Sequence, residues 1–269
     1  MIKLGNVSCG VSIVENFANE IKTEIVAQKL DPLLAIICNA FTWSISSGLQ
    51  FTVDGYFSMC LRLTGGESSC WGSDAHFPGK SGLEKYPPLL PDDLDLLVKP
   101  GPDREGEETG RGFQRYGISK VVAIMGMYQL NARLQKSPSP HLRKITALAL
   151  DPGGLPDSRC MSSGSDVPAM WTFLMKGILN PLFLGLLRPV FKHTVPKLSL
   201  RSTSEAAVDL VEMAVGEGFR GERGHFVMGE RDESSPETRD EGKQRAVWGK
   251  SLEWAGIGKG DTGLGEGIE

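Results

Sequence analysis

Cysteine pairs of the kind that bind metal or carry redox chemistry are absent from this chain. Its five cysteines are odd in number and widely spaced, and no two of them form a C-x-x-C pair. This pattern argues against a zinc ribbon, a thioredoxin-type site and a disulfide framework. It favours reduced thiols in an intracellular compartment, which we take to be the cytoplasm. The four histidines are equally scattered, so we expect packing or surface roles for them and no metal site.

An excess of positive charge is also missing, and so is a targeting signal. The 29 Lys and Arg residues are outnumbered by 33 Asp and Glu residues, which argues against nucleic-acid binding. No basic head followed by an apolar run opens the chain, so the sequence predicts no secretory signal. With 40% hydrophobic and 23% charged residues over 269 positions, the composition is that of an ordinary globular protein with one core.

Helical and strand patterns alternate along most of the chain. Apolar residues recur at helical spacing over 11–26 and again in a helix that we place at 116–135. Two short continuous apolar runs, 33–38 and 145–150, are typical of strands buried on both faces of a parallel sheet. This rhythm predicts an α/β fold with a doubly wound parallel sheet, in which ligands bind at the carboxyl ends of the strands.

The C-terminal part of the chain continues the same pattern. A capping signal at Ser202–Glu205 opens an amphipathic helix over 203–216. Residues 225–228 are a candidate last strand, and residues 229–254 have the composition of a charged surface helix. The glycine-rich tail 258–269 is expected to be disordered, which leaves a single domain over residues 1–257.

Two segments interrupt the alternation. Residues 62–115 are rich in Gly, Pro, Ser and charge, which predicts a long loop or a disordered insertion. Residues 167–191 are strongly apolar, but prolines and charged residues divide them. We expect a pair of short helices that form a lid over a hydrophobic substrate. Association with a membrane surface and a membrane span are the alternatives for this segment.

Tyr116 and Lys120 form the motif with the clearest chemistry. They are four residues apart on a predicted helix, which places both side chains on one face. An ammonium beside a phenol favours the phenolate, because opposite charge stabilises the ionised form. A tyrosine tuned in this way can exchange a proton with a substrate near neutral pH. A chance Tyr/Lys pair on an exposed helix is the competing interpretation.

Other short segments share a pattern with the Tyr/Lys pair. They are, in chain order, Asn39-Ala40-Phe41, Thr52-Val53-Asp54-Gly55-Tyr56, Pro152-Gly153 and Lys250-Ser251-Leu252-Glu253-Trp254. Together with Tyr116 and Lys120 they resemble the short-chain dehydrogenase/reductase family. The likeness is nearest to fungal members of the branch that includes retinol dehydrogenases and protochlorophyllide reductase. It extends over roughly residues 4–64 and 68–257.

The resemblance implies a Rossmann-like fold and a set of site residues. NADP is the implied cofactor, with NAD as the alternative. Tyr116 is implied to give the proton, Lys120 to tune it and hold the ribose, and Ser73 to orient the substrate carbonyl. Asn39 is implied to line the cofactor cleft through its backbone, and Ser158 to bind the carboxamide. Many members of the family are dimers or tetramers, so a homo-oligomer is also implied.

The family serine has two candidates in this sequence. Ser73 opens the segment Ser73-Asp74-Ala75-His76-Phe77-Pro78, which is similar to the family pattern and makes Ser73 the first choice. Ser69 is the alternative, with Cys70-Trp71-Gly72 as an insertion.

Two parts of the family pattern have no counterpart in the sequence. A glycine-rich turn of the form G-x-x-x-G-x-G does not precede the first helix, and the central segment after Tyr56 is short. The sequence therefore predicts an incomplete sheet that lacks about two strands.

The sequence is compatible with two functions. One is a short-chain dehydrogenase that reduces or oxidises a carbonyl or alcohol group on a small hydrophobic molecule, as in fungal secondary metabolism. The other is a degenerate or truncated relative that serves as a non-enzymatic binding or interaction subunit. The missing glycine-rich turn favours the second function, and the retained Tyr116/Lys120 pair favours the first.

Overall fold

A computed structural model describes residues 11–30, 35–38, 68–71, 73–81, 84–155 and 201–268. Within these ranges the chain forms a five-stranded sheet with helices packed against it, as the alternating sequence pattern predicts. The predicted lid at 167–191 and two predicted site residues, Asn39 and Ser158, lie outside the described residues.

The strands follow each other in the sheet in chain order. They are β1 (Ile36–Cys38), β2 (Ser68–Trp71), β3 (Ala147–Asp151), β4 (Gly224–Val227) and β5 (Glu230–Arg231). The first four strands are parallel, and only β5 runs antiparallel, against β4. Because parallel strands point the same way, their carboxyl ends meet at one edge of the sheet. Cys38, Trp71 and Asp151 end neighbouring strands at that edge.

The helices of the described part connect and cover these strands. They are α1 (Val11–Val26), α2 (Glu108–Lys136), α3 (Pro140–Arg143), α4 (Thr203–Val215), α5 (Pro236–Arg239) and α6 (Glu241–Ala255). The capping signal before α4 is confirmed. The Ser202 hydroxyl accepts a hydrogen bond from the Glu205 backbone N–H, while the Glu205 carboxylate accepts one from the Ser202 N–H. Helix α6 is capped by Gly256, whose φ of 64° suits glycine.

Strand β3 lies at the centre of the packing, because all five of its residues are buried. Ala147 and Ala149 pack in one cluster with Ile124 and Met127 of α2. The alternate residues Leu148 and Leu150 pack in a second cluster, which contains Leu210 and Met213 of α4 and Phe226 of β4. Successive side chains of a strand point to opposite faces, so helices cover the sheet here on both faces. Full burial of one such Leu contributes about 1.5–3 kcal/mol.

The segment predicted as a loop over 62–115 contains regular structure. Strand β2 pairs with β1 on one side and β3 on the other, so a central strand lies where the sequence predicts a loop. Two 3₁₀ helices follow, at Asp74–His76 and Leu94–Leu97. Helix α2 begins at Glu108, about two turns before the predicted start at residue 116. Tyr116 therefore lies inside the helix and not at its first turn.

The C-terminal region also differs from expectation in two places. Residues 229–254 do not form one helix, because β5, α5 and α6 divide them. The tail predicted as disordered instead returns to α2 and ends in a 3₁₀ helix at Gly265–Ile268. Ile268 is only 2% exposed. Its carbonyl accepts one hydrogen bond from Arg133 Nε and one from Trp248 Nε1, both at 2.7 Å. These contacts fasten the tail to both α2 and α6.

Candidate functional site

The carboxyl edge of the sheet carries the described site residues. Ser73 follows the end of β2 by two residues, and Asp151 is the last residue of β3. Helix α2, which carries Tyr116 and Lys120, packs against β2, β3 and the 3₁₀ helix at 74–76. The topology thus brings together residues that lie up to 78 positions apart in the chain, at the edge where ligands of α/β sheets bind.

Tyr116 and Lys120 lie one helical turn apart, as their spacing predicts. The Lys120 ammonium nitrogen is 5.3 Å from the centre of the Tyr116 ring. Lys120 is 9% exposed, while Tyr116 is partly exposed. Lysines are rarely buried without a charged or polar environment that compensates them. The burial of Lys120 therefore separates this pair from a chance Tyr/Lys pair on a solvated helix face.

Ser73 caps the 3₁₀ helix at Asp74–His76. Its backbone is extended, with φ −166° and ψ 144°, and its hydroxyl accepts a hydrogen bond from the Ala75 N–H at 3.3 Å. The hydroxyl donates to the Asp74 carboxylate at 3.4 Å. That distance is long for an O–H···O bond, so a better acceptor can replace Asp74 at small cost. A substrate carbonyl oxygen would be such an acceptor.

Gly117 allows the Ser73 segment to lie against helix α2. A Cβ atom at position 117 would lie 2.5 Å from the Ala75 carbonyl oxygen and 2.8 Å from Pro88 Cβ. Neither distance leaves room for a methyl group. The glycine next to Tyr116 therefore determines how closely the segment that begins at Ser73 approaches the Tyr/Lys helix.

Asp151 is a site residue that the sequence reasoning missed. Its side chain is 5% exposed, and it accepts a hydrogen bond from the Gly153 N–H at 2.9 Å. Burial, together with the nearby Asp74 carboxylate, raises the pKa of this carboxyl to about 6. The Gly153 N–H and the cations of Lys120 and Lys80 act in the opposite direction. An acid at the end of an otherwise apolar strand, before Pro-Gly-Gly, is the signal that could have identified it.

Asp151 and Lys120 interact electrostatically in a buried setting. In a buried setting each charge stabilises the other, and either one alone would be uncompensated. A carboxyl that titrates near pH 6 can alter the charge around Lys120 within the physiological range.

His76, in the 3₁₀ helix that follows Ser73, packs against His225 of β4. The rings of His76 and His225 are 5.0 Å apart between centroids and lie edge to face. His76 is fully buried and His225 is 2% exposed. Burial lowers the pKa of both rings, that of His76 to about 4. Both histidines pack in the interior, one of the two roles that the sequence left open for them.

A cleft of about 650 Å³ lies at the far end of α2 and is lined partly by Arg133, Lys136 and Arg239. It does not include Ser73, Tyr116 or Lys120 and is therefore separate from the predicted site. No helix in the described ranges combines the length and the apolar character needed to cross a membrane.

Known proteins resemble this chain over different extents. The short-chain dehydrogenase iccH of Talaromyces variabilis is 26% identical over 93% of this chain and 78% of its own length. The dehydrogenase acuH of Aspergillus aculeatus is 37% identical over 34% of this chain and 87% of its own length. The family described as AcuH dehydrogenase domain matches residues 161–264. The first similarity takes in the segments of Ser73, Tyr116 and Lys120, whereas the family match lies C-terminal to all three.

Proposed function

The chain belongs to a fungal family of short-chain dehydrogenases, and on that premise we propose that it is an NADP-dependent oxidoreductase. Its proposed reaction interconverts a carbonyl and an alcohol group on a small hydrophobic molecule. NAD is the alternative cofactor. The proposal includes a Rossmann-like, doubly wound sheet, which is supported by four parallel strands and by helices on both faces of β3.

One observation carries this proposal. The buried Lys120 ammonium stands one turn from Tyr116, and Gly117 between them receives the segment that begins at Ser73. These residues supply a proton donor, a cation that tunes it and a second hydroxyl. Acid–base chemistry on a carbonyl oxygen needs these three groups close together.

Each side chain then has a distinct task in the reaction. For reduction, the Tyr116 hydroxyl gives its proton to the carbonyl oxygen, and the phenolate that remains is stabilised by the Lys120 ammonium. The Ser73 hydroxyl donates a hydrogen bond to the same oxygen and leaves its weak bond to Asp74. Oxidation of the alcohol uses the same groups in reverse. When bound, the dinucleotide supplies or accepts the hydride.

The described residues fit one end of such a dinucleotide. Lys120 has three N–H donors, enough to contact both the Tyr116 phenol oxygen and ribose hydroxyls. Gly153 follows β3 with φ 76°, so the backbone turns sharply where the strand ends and can approach a ligand closely. Asn39 and Ser158 remain proposed as further cofactor contacts.

The substrate class rests on the apolar segment 167–191. A lid with many apolar and few polar side chains favours a hydrophobic ligand. Ketones or secondary alcohols of polyketide or terpenoid type, as in secondary metabolism, are therefore the compounds to screen first.

The test is cofactor binding and turnover by the 269-residue chain. NADPH and NADH binding is measured by fluorescence titration, and turnover is measured with a panel of hydrophobic ketones. We expect Tyr116→Phe to lower kcat by about 10²–10⁴-fold with nearly unchanged NADPH affinity, because it removes only the proton donor. Lys120→Ala should weaken NADPH binding as well as turnover.

Matched controls lie on the same helix. Tyr128→Phe removes a hydroxyl whose partner is Ser234 at 2.9 Å, about 18 Å along α2 from Tyr116. Lys136→Ala removes an exposed ammonium at the end of α2. Both controls should retain wild-type kcat and NADPH affinity. A folded wild-type chain that binds neither dinucleotide would overturn the enzyme proposal and favour a non-enzymatic binding subunit.

A further inference from the structure

The imidazole of His76 is completely buried three residues after Ser73. It packs against the Phe77 ring at 4.4 Å and the His225 ring at 5.0 Å, measured between centroids. A polar ring without solvent contact must satisfy its nitrogens inside the protein or lose their hydrogen bonds. The hydrogen-bond partners inside the protein therefore determine the orientation of the ring and which nitrogen carries the proton.

The Nδ1 atom of His76 makes a hydrogen bond to the backbone carbonyl of Ser73. The same carbonyl oxygen also accepts the His76 backbone N–H at 3.1 Å. Because a carbonyl oxygen only accepts, Nδ1 must carry the proton, and Nε2 is the unprotonated nitrogen of the neutral ring. Among the described residues Nε2 has no hydrogen-bond partner.

Burial keeps this ring neutral at physiological pH. It lowers the pKa of His76 to about 4, and the neighbouring His225 and Lys80 act in the same direction. The Ser73 carbonyl and the Asp232 carboxylate oppose this shift without overcoming it. The ring therefore keeps one proton, on Nδ1, over the range in which a dehydrogenase works.

The orientation of the Ser73 hydroxyl is set mainly by the position of the Ser73 backbone. Its two hydrogen bonds, from the Ala75 N–H at 3.3 Å and to the Asp74 carboxylate at 3.4 Å, are both long. Bonds of that length restrain a hydroxyl weakly. The Ser73 carbonyl, in contrast, is held by two donors of His76, and this fixes the peptide from which the Ser73 side chain projects.

We propose that His76 is a positioning residue for Ser73. Its Nδ1–H holds the Ser73 carbonyl and thereby aims the Ser73 hydroxyl at the space beside Tyr116. The proposal rests on the proposed function, in which that hydroxyl polarises the substrate carbonyl. His76 itself touches neither substrate nor cofactor in this account.

Two substitutions at His76 distinguish the effect of its N–H donor from the effect of its ring volume. His76→Asn keeps an N–H donor close to the position of Nδ1 but loses ring volume, whereas His76→Leu keeps much of the volume and loses the donor. We expect His76→Leu to lower kcat by about 10–100-fold, since small misplacements of a catalytic group cost that much. His76→Asn should stay within about threefold of wild-type kcat, although the cavity makes it less stable. NADPH affinity should be unchanged in both.

His225→Leu is the matched control, because it removes the other buried ring without touching Ser73. It should lower stability and leave kcat near the wild-type value. Hydrogen exchange of residues 73–77 should increase in His76→Leu and stay low in His76→Asn. In ¹⁵N-histidine spectra, His76 should show the neutral Nδ1–H tautomer.

Loss of kcat in proportion to loss of stability across all three variants would overturn the proposal, and so would an Nε2–H tautomer at His76. A wild-type chain without turnover would overturn the proposed function and the catalytic part of this inference. In that case the tautomer and the hydrogen exchange would still decide whether His76 holds the Ser73 segment.

Discussion

Gly117→Ala tests the contact on which the candidate site depends. The added Cβ would lie 2.5 Å from the Ala75 carbonyl oxygen, and ordinary contact begins at 3.4 Å. The segment that begins at Ser73 must therefore move away from α2 by about 0.9 Å, or the helix must move by the same amount. Pro88 Cβ, at 2.8 Å from the new atom, blocks the neighbouring direction.

Gly117→Ala has two opposing effects on the free energy of unfolding and one effect on kcat. Ala in place of Gly favours a helix by about 0.8–1 kcal/mol. Overpacking at a site without room costs about 1–3 kcal/mol. The net free energy of unfolding should fall by about 0–2 kcal/mol, which leaves the chain folded. A shift of nearly 1 Å between Ser73 and Tyr116 should lower kcat by about 10²-fold.

The assay compares Gly117→Ala with Gly249→Ala. Gly249 lies in α6, is exposed and has open space where its Cβ would be. Its replacement should raise the free energy of unfolding by about 0.8–1 kcal/mol and leave kcat unchanged. Urea denaturation, steady-state kinetics and hydrogen exchange of residues 73–77 are measured for both. Wild-type kcat together with wild-type exchange in Gly117→Ala would refute the reasoning.

Three further perturbations test packing and charge, two of them near the site and one at the C-terminal tail. Asp151 has a pKa raised above its ordinary value of 3.8 to about 6, so its stabilising effect is present at low pH and is lost as pH rises through about 6. Between about pH 3 and about pH 7, wild type should lose up to about 3 kcal/mol relative to Asp151→Asn in urea titrations, and parallel curves would contradict this. Trp248→Phe removes one donor to the Ile268 carbonyl and should cost about 1 kcal/mol, with faster hydrogen exchange confined to residues 261–268. Arg115→Met leaves the nearly buried Asp103 without its two bonds at 2.6 and 2.8 Å and should cost about 3 kcal/mol; the double variant with Asp103→Leu should recover part of it, and no recovery would contradict the attribution of the loss to an unpaired carboxylate.

Local signals in the sequence were sufficient for several elements. The apolar run at 145–150 predicts β3, since a strand buried on both faces needs no polar alternation. The Ser202–Glu205 pattern predicts the start of α4, because a capping box is formed by residues three apart. The four-residue spacing of Tyr116 and Lys120 predicts that they share one helix face, because residues four apart are separated by about one helical turn.

Other elements depend on partners that are distant in the chain. Strand β2 contains two serines and no long apolar run, so its sequence predicts a loop; pairing with β1 and β3 on both sides makes it a strand. The start of α2 is rich in glycine and charge, and its sequence likewise predicts a loop. Ile268 of the tail is buried, and the order of the tail depends on donors from two separate helices.

The sequence by itself determined the α/β alternation and the placement of Tyr116 and Lys120 on one helix face, because periodicity and helical spacing act over a few residues. Only the tertiary structure decided that the segment of Ser73 reaches Gly117, that Asp151 faces the charge of Lys120, and that His76 holds the Ser73 carbonyl. The first two arrangements require parallel strands to end at the same edge of the sheet under one long helix. The third arrangement, the hydrogen bond from His76 to the Ser73 carbonyl, requires burial of the His76 ring. A buried ring nitrogen must find its partner within the protein, and no local sequence pattern encodes burial of that kind.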